Sequence, residues 1–215
     1  MRLYLASTSP ARLALLRAAG VEPVTVSPGV DETAVVAAYE ATKGRLAAAD
    51  LVQLLARAKA EAIVGATVDG EPIDGLILGG DSAFEIDGML HGKPHTPDVA
   101  TDRWRQQRGR AGQLWSGHWL IDHRGGVVRG GIGRVAVATV RFADIDDAEI
   151  EAYVASGEPL AVAGAFTVDS LGGPFIREVV GDPSTVVGLS LSTLRELVRE
   201  FDIAWPSLWN RRGAL

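Results

Sequence analysis

The chain reads as an α/β protein with a mixed sheet. Short apolar runs of strand length alternate with helical patterns that carry recognisable caps. A hairpin signal in the middle adds antiparallel pairing to strands that helices otherwise separate. No linker, low-complexity segment or internal repeat divides the 215 residues, a length that suits one large domain or two small lobes. One α/β unit spanning residues 1–215, in two lobes, is the expectation.

The elements follow in order. Residues 3–6 (LYLA) form a strand, and a Ser/Thr/Pro turn leads to a helix from Pro10 to about Ala19, ended by Gly20. Val24–Val26 is a short strand before Val30-Asp31-Glu32-Thr33. A long helix follows from roughly Ala47 to Val64, with Leu51, Leu54, Leu55, Ala58 and Ala62 as its apolar stripe. Residues 65–75 read as loop. Leu76–Leu78 is a buried strand that drops through Gly79 and Gly80 onto Asp81. Asp87-Gly88, between FEI and MLH, is a two-residue hairpin turn. Thr96-Pro97 caps and starts a helix to about Arg108. Trp115–Asp122 and Arg134–Phe142 alternate as strands around a glycine-rich turn. Asp146-Asp147 opens a helix that ends at Ser156-Gly157. The tail holds Pro159–Asp169, a glycine turn, Phe175–Val180 and a helix from about Ser192 to Phe201.

Composition excludes several classes. A net charge of −6 argues against a general nucleic-acid surface. With no cysteine there is no disulfide, thiolate zinc site or cysteine nucleophile. MRLYLASTSP turns polar too soon for a signal-peptide core, and no apolar run approaches the ~20 residues of a membrane span. The expectation is a soluble, cytoplasmic protein with no membrane or nucleic-acid partner. Walker A, dinucleotide-glycine and GxSxG patterns are absent, and the histidines at 91, 95, 118 and 123 lack zincin spacing.

Four constellations bear chemistry. In Ser7-Thr8-Ser9-Pro10-Ala11-Arg12 a strand feeds a helix capped by Ser9, and free N–H groups with the helix dipole suit an anion there. Arg12 sits unfavourably against that dipole unless a phosphate reverses the sign; the plainer reading is a capped helix with a solvated arginine. Asp31-Glu32 offers carboxylate oxygens to a hard cation, or Asp31 simply caps the next helix. Lys59 lies at the edge of its helix's apolar stripe, where it either snorkels or points into a cleft. Asp81 at the end of a buried strand needs partners. The Asp87-Gly88 register sets Ile86 against Met89 and, carried back, Ser82 against Lys93. Acid and base then meet at one end of the hairpin, provided a bulge at Gly92 or a turn at Gly79-Gly80 corrects the faces.

Together these segments resemble the Maf family of nucleoside triphosphate pyrophosphatases, almost end to end. The matching pieces are LYLASTSPARLALLRAAGV, VDET, LARAKAEA, GGDSAFEIDGMLHGKP, the GR…SG segment, EIEAYVASGEP, AGAFTVDSLGG and GDPSTVVGLSL. The resemblance implies an elongated mixed sheet flanked by helices, with two lobes around a central cleft, as in inosine triphosphate pyrophosphatases. It implies hydrolysis of a nucleoside triphosphate to monophosphate and pyrophosphate with a divalent cation, magnesium or manganese. Members are commonly dimeric and cytoplasmic, so a homodimer is implied too. By position, Asp81 matches the catalytic base and touches the metal together with Glu32, while Ser7, Arg12, Lys59 and Lys93 match phosphate contacts. The alternative is a non-enzymatic, nucleotide-binding regulator of cell division, since the family name is attached to septum formation.

Several positions depart from the family pattern. Ala11 stands where arginine or tryptophan is usual, Ser82 where the uridine/thymidine branch has threonine, and Asp169 where the branches carry glutamine or glutamate. Ala14 replaces an expected glutamate and Gly112 an expected histidine. Ala11, Ser82 and Asp169 are therefore the candidate specificity positions, and the preferred base stays open.

Overall fold

The structure, a computed structural model, describes residues 1–211. In chain order the elements are β1 (Leu3–Ala6), α1 (Pro10–Ala18), β2 (Val24–Val26), α2 (Glu32–Lys43), α3 (Ala48–Ala62), β3 (Thr67–Val68), β4 (Glu71–Pro72), β5 (Gly75–Ile86) and β6 (Met89–His91). Then come α4 (Pro97–Gln107), β7 (Ala111–His123), β8 (Gly130–Phe142), α5 (Asp147–Ala155), β9 (Ile176–Val180), α6 (Pro183–Val187) and α7 (Leu191–Arg199). The main sheet runs β2-β1-β5-β7-β8-β9, with β6 paired to β5; β3 and β4 form a separate hairpin. β1 is parallel to both β2 and β5, whereas β5–β6 and β8–β9 are antiparallel. The expected mixed α/β fold is what forms.

The chain divides into two compact units. The first holds Met1–Asp81, Ser116–Ala136 and the chain from Gly188 onward; the second holds Ser82–Trp115 and Val137–Val187. In the first, β1 and β5 are covered on both faces, which is why their sequences are apolar runs rather than alternations. Leu3, Leu5, Leu76 and Leu78 pack with Leu16, Leu120, Leu194 and Leu197 on one side. Tyr4, Ala6 and Ile77 pack with Ala60, Ile63 and Ile121 on the other. The second unit has an aromatic core in which Trp104 meets Phe142 and Tyr153 edge to face at 5.5 and 5.4 Å. The Trp104 indole N–H donates to the Ala165 carbonyl at 2.7 Å.

The structure corrects several sequence expectations. α2 was legible only as the helix that Asp31 would cap, and Asp31 does accept the Ala34 N–H at 3.0 Å. None of its residues is buried, so it has no apolar stripe to find. The 65–75 loop contains the β3–β4 hairpin, turned by Asp69-Gly70. Pro159–Asp169 holds short 3-10 turns, and Gly181-Asp182-Pro183-Ser184, which reads in sequence as a turn, runs into α6.

The buried face of α3 is Ala48, Val52, Leu55, Ala56, Lys59 and Ala60, so of the expected stripe Leu55 is buried while Leu51, Leu54, Ala58 and Ala62 are not. Small Ala56 and Ala60 face a closely packed sheet, and their low hydrophobicity disguises the true face. Asp81 lies within the continuous strand β5, not at a strand end. The Asp87-Gly88 turn does pair Ile86 with Met89, but the ladder stops at Phe84–His91 and never reaches Ser82 and Lys93. Gly92-Lys93-Pro94 lies outside any strand, which is the physical reason the proposed register fails.

Candidate functional site

The site starts from the sequence Gly79-Gly80-Asp81 in β5. Side chains alternate along a strand, so Gly79 and Asp81 share one face and Gly80 has the other. On the first face α3 presses so close that a Cβ on Gly79 would stand 2.1 Å from the Ala56 carbonyl oxygen and 2.8 Å from the Ala60 nitrogen. β7 admits the same helix at Gly117, where a Cβ would meet the Val52 carbonyl oxygen at 2.2 Å. Lying this low over the sheet, α3 brings Lys59 to Asp81. On the opposite face the Arg12 guanidinium covers Gly80, 3.2 Å from where a Cβ would be.

Lys59 Nζ donates to Asp81 Oδ1 at 2.6 Å and pairs with Glu32 Oε1 at 2.7 Å. The side chains of Lys59 and Asp81 are only 10% and 12% exposed, so this is a buried pair, whereas Glu32 is 51% exposed. Lys59 thus lies on the buried face of its helix rather than at the edge of an apolar stripe, and it points inward instead of snorkelling. Burial pushes the Asp81 carboxyl up from its ordinary value, and Lys59 and Arg12 hold it back. A buried carboxyl with a raised pKa beside fixed cations has the character of a proton acceptor poised for chemistry.

Arg12 is buried too. Ser9 caps α1 by accepting the Arg12 backbone N–H at 3.4 Å, and Ser7 Oγ accepts the Ser9 N–H at 3.1 Å. The arginine folds back so that Nη1 donates to Ser7 Oγ at 3.3 Å and Nε to the Gly188 carbonyl at 2.8 Å. Burial lowers its pKa, against the pull of Asp81 and Glu32. The solvated-arginine reading of this helix start is therefore overturned.

Ser7, Arg12, Glu32, Lys59 and Asp81 all belong to the first unit, with Ala11 partly buried beside Arg12. Ser82, Lys93 and Asp169 belong to the second. There Ser82 is half-buried in β5, while Lys93 and Asp169 are exposed. Gly112 is explained locally: a Cβ would strike the Phe84 ring at 2.3 Å, so the histidine expected there has no room.

Two structural anchors have little or no signal in the sequence. Gly188 contributes a carbonyl, which no side chain announces. Glu158 accepts from Tyr153 Oη, Ser170 Oγ and the Gly172 N–H at 3.0, 2.6 and 3.1 Å, and also from Thr167, tying down residues 167–172. Gly157-Glu158-Pro159 after a helix was its only signal, and it reads as a turn.

Among the described residues no group of three or more His, Cys, Asp or Glu gathers in a metal-binding arrangement. Magnesium typically takes one or two protein carboxylates and fills its shell with waters and phosphates. Asp81 and Glu32, converging on the Lys59 ammonium, are two carboxylates that could serve in that way. A buried acid, two cations and a capped helix start thus gather on one strand and helix pair of the mixed α/β sheet.

The chain belongs to the Maf family: residues 2–201 match the model described as Maf-like protein. It is 72% identical over 213 residues to a nucleoside triphosphate pyrophosphatase of Leifsonia xyli subsp. xyli, covering 99% of both chains. It is 46% identical over 210 residues to one of Corynebacterium diphtheriae, covering 98% of this chain and 99% of that one. The crystal structure of a nucleoside-triphosphatase / dITP/XTP pyrophosphatase from Mycobacterium abscessus aligns over 94% of this chain and 97% of its own. Its identity is 15% and its TM-score 0.36.

Proposed function

We propose that this protein hydrolyses a nucleoside triphosphate to the monophosphate and pyrophosphate, clearing non-standard or pyrimidine nucleotides from the cytoplasm. The observation that carries the reading is the buried Asp81 held by Lys59 at 2.6 Å with Arg12 on the opposite face of the same strand. The pyrophosphatase names of close, full-length relatives support it. Asp81 orients and deprotonates the attacking water, and burial that raises its pKa improves it as a base near neutrality. Arg12, Lys59 and Ser7 neutralise and fix the phosphate chain, so that attack at the α-phosphorus is largely positioning and charge stabilisation; Lys93 is proposed as a phosphate contact on its match to the family's motif alone. Asp81 and Glu32 would hold a magnesium or manganese ion, which supplies charge neutralisation on the phosphate oxygens when bound. Ala11, Ser82 and Asp169 are the proposed base-selecting positions, and a homodimer is the proposed assembly.

The test is pyrophosphate release from ordinary, modified and deaminated nucleoside triphosphates with either metal. Asp81→Asn is expected to lower kcat by at least about a hundredfold, within the range for a lost general base, with an unchanged circular dichroism spectrum. Undiminished release by that folded variant refutes the role of Asp81; no release from any triphosphate refutes the function.

A further inference from the structure

Behind Arg12 stands a buried histidine that the reading above does not use. His118 lies on β7 and is 0% exposed. Its Nε2 accepts the Ser190 backbone N–H at 2.9 Å. A backbone amide nitrogen only donates, so Nε2 carries a lone pair. Nδ1 lies 3.2 Å from the Arg134 carbonyl, which only accepts, so the proton sits on Nδ1 and the ring is neutral.

Ser190 is the cap of α7, its Oγ accepting the Thr193 N–H at 3.2 Å. Two residues earlier the Gly188 carbonyl accepts the Arg12 Nε–H at 2.8 Å. Leu189, between them, is fully buried in the leucine core of the first unit. Gly188 has a φ of 115°, open to glycine but strained for other residues, so the bend of this three-residue strap is set as well. The strap is pinned by His118 at one end and holds Arg12 at the other. An arginine has several rotatable bonds, and its aim depends on what its nitrogens find.

We propose that His118 is a positioning residue that aims Arg12 through the Gly188–Ser190 strap and so sets the grip on a polyphosphate. The polyphosphate part rests on the proposed function; the coupling of His118 to Arg12 does not.

Two conservative variants separate this from a packing role. His118→Gln sets an amide oxygen near the Nε2 position and keeps an acceptor for Ser190. His118→Asn reaches only as far as Nδ1, keeps the Arg134 contact and takes the imidazole acceptor away from the Ser190 N–H. The first readout needs no ligand: hydrogen exchange of the Arg12 Nε–H in 1H–15N spectra, assigned by its loss in Arg12→Ala. Exchange is expected to stay slow in His118→Gln and to quicken at least about tenfold in His118→Asn.

The second readout is the Kd for inorganic tripolyphosphate. His118→Asn is expected to weaken it about tenfold, His118→Gln to restore it, and His118→Asn to add nothing in an Arg12→Ala background. Equal behaviour of the two variants, or losses that simply add to that of Arg12→Ala, overturns the proposal. So does failure of both variants to fold, since His118 is then a packing residue. If the exchange and binding results hold while no nucleotide is hydrolysed, the hydrolytic function fails and this coupling stands.

Discussion

Lys59 touches two carboxylates at nearly the same distance, and burial decides which contact matters. The contact with Glu32 is half exposed, and ion pairs of that kind contribute about 0–1 kcal/mol. Asp81 is buried with Lys59, and removing one partner of a buried pair leaves an uncompensated charge. Lys59→Met is therefore expected to destabilise the fold by about 3 kcal/mol at neutral pH. Adding Asp81→Asn to that variant should recover most of the loss, because the stranded charge goes with it. Glu32→Gln should cost less than about 1 kcal/mol. Urea unfolding of the three proteins checks the order, and equal losses for Lys59→Met and Glu32→Gln would contradict it.

At the level of elements, α3 and β5 meet through a glycine rather than through side chains. The backbone of Gly79 has an ordinary φ, so the glycine is required by the close approach of Ala56 and Ala60, not by conformation. A methyl group there has nowhere to go without lifting α3, and with it Lys59, from Asp81. Gly79→Ala is expected to cost about 3 kcal/mol, at the upper end for overpacking, and to lower kcat/KM along with stability. Gly92→Ala serves as the comparison, since a Cβ there meets nothing within 4 Å. Its midpoint in urea should stay close to that of the parent protein.

Across the whole molecule, pH bears on stability through Glu158. Partial burial acts to raise its pKa, but hydrogen bonds from Ser170, Thr167, Tyr153 and Leu171 outweigh that and hold it at about 2, against 4.5 ordinarily. The folded carboxyl binds its proton less readily than the unfolded one. Its contribution is thus present above about pH 4.5 and lost as pH falls toward 2. The Tm difference between the parent protein and Glu158→Gln is expected to be large at pH 6 and to shrink steadily below pH 4.5. A difference that does not change with pH would show that the carboxylate is not what ties residues 167–172.

What the sequence determined by itself was everything carried by local rules. Ser9 caps α1, Asp31 caps α2, Asp146 opens α5, and Asp87-Gly88 turns its hairpin. Apolar runs located β1 and the first part of β5, and the order of motifs made the Maf family recognisable. Asp81 could be singled out because a buried carboxylate needs partners, whereas the roles of Ser7, Arg12, Glu32 and Lys59 came from their match to the family's motifs. Only the tertiary structure decided who those partners are. Asp81 takes Lys59, because Gly79 and Gly117 let α3 settle onto the sheet and turn an alanine-rich face inward. Arg12 takes the Gly188 carbonyl, a backbone group supplied from 176 residues away. Contacts of that range depend on which helix settles over a glycine and where carbonyls point, and no local pattern in the sequence names those partners.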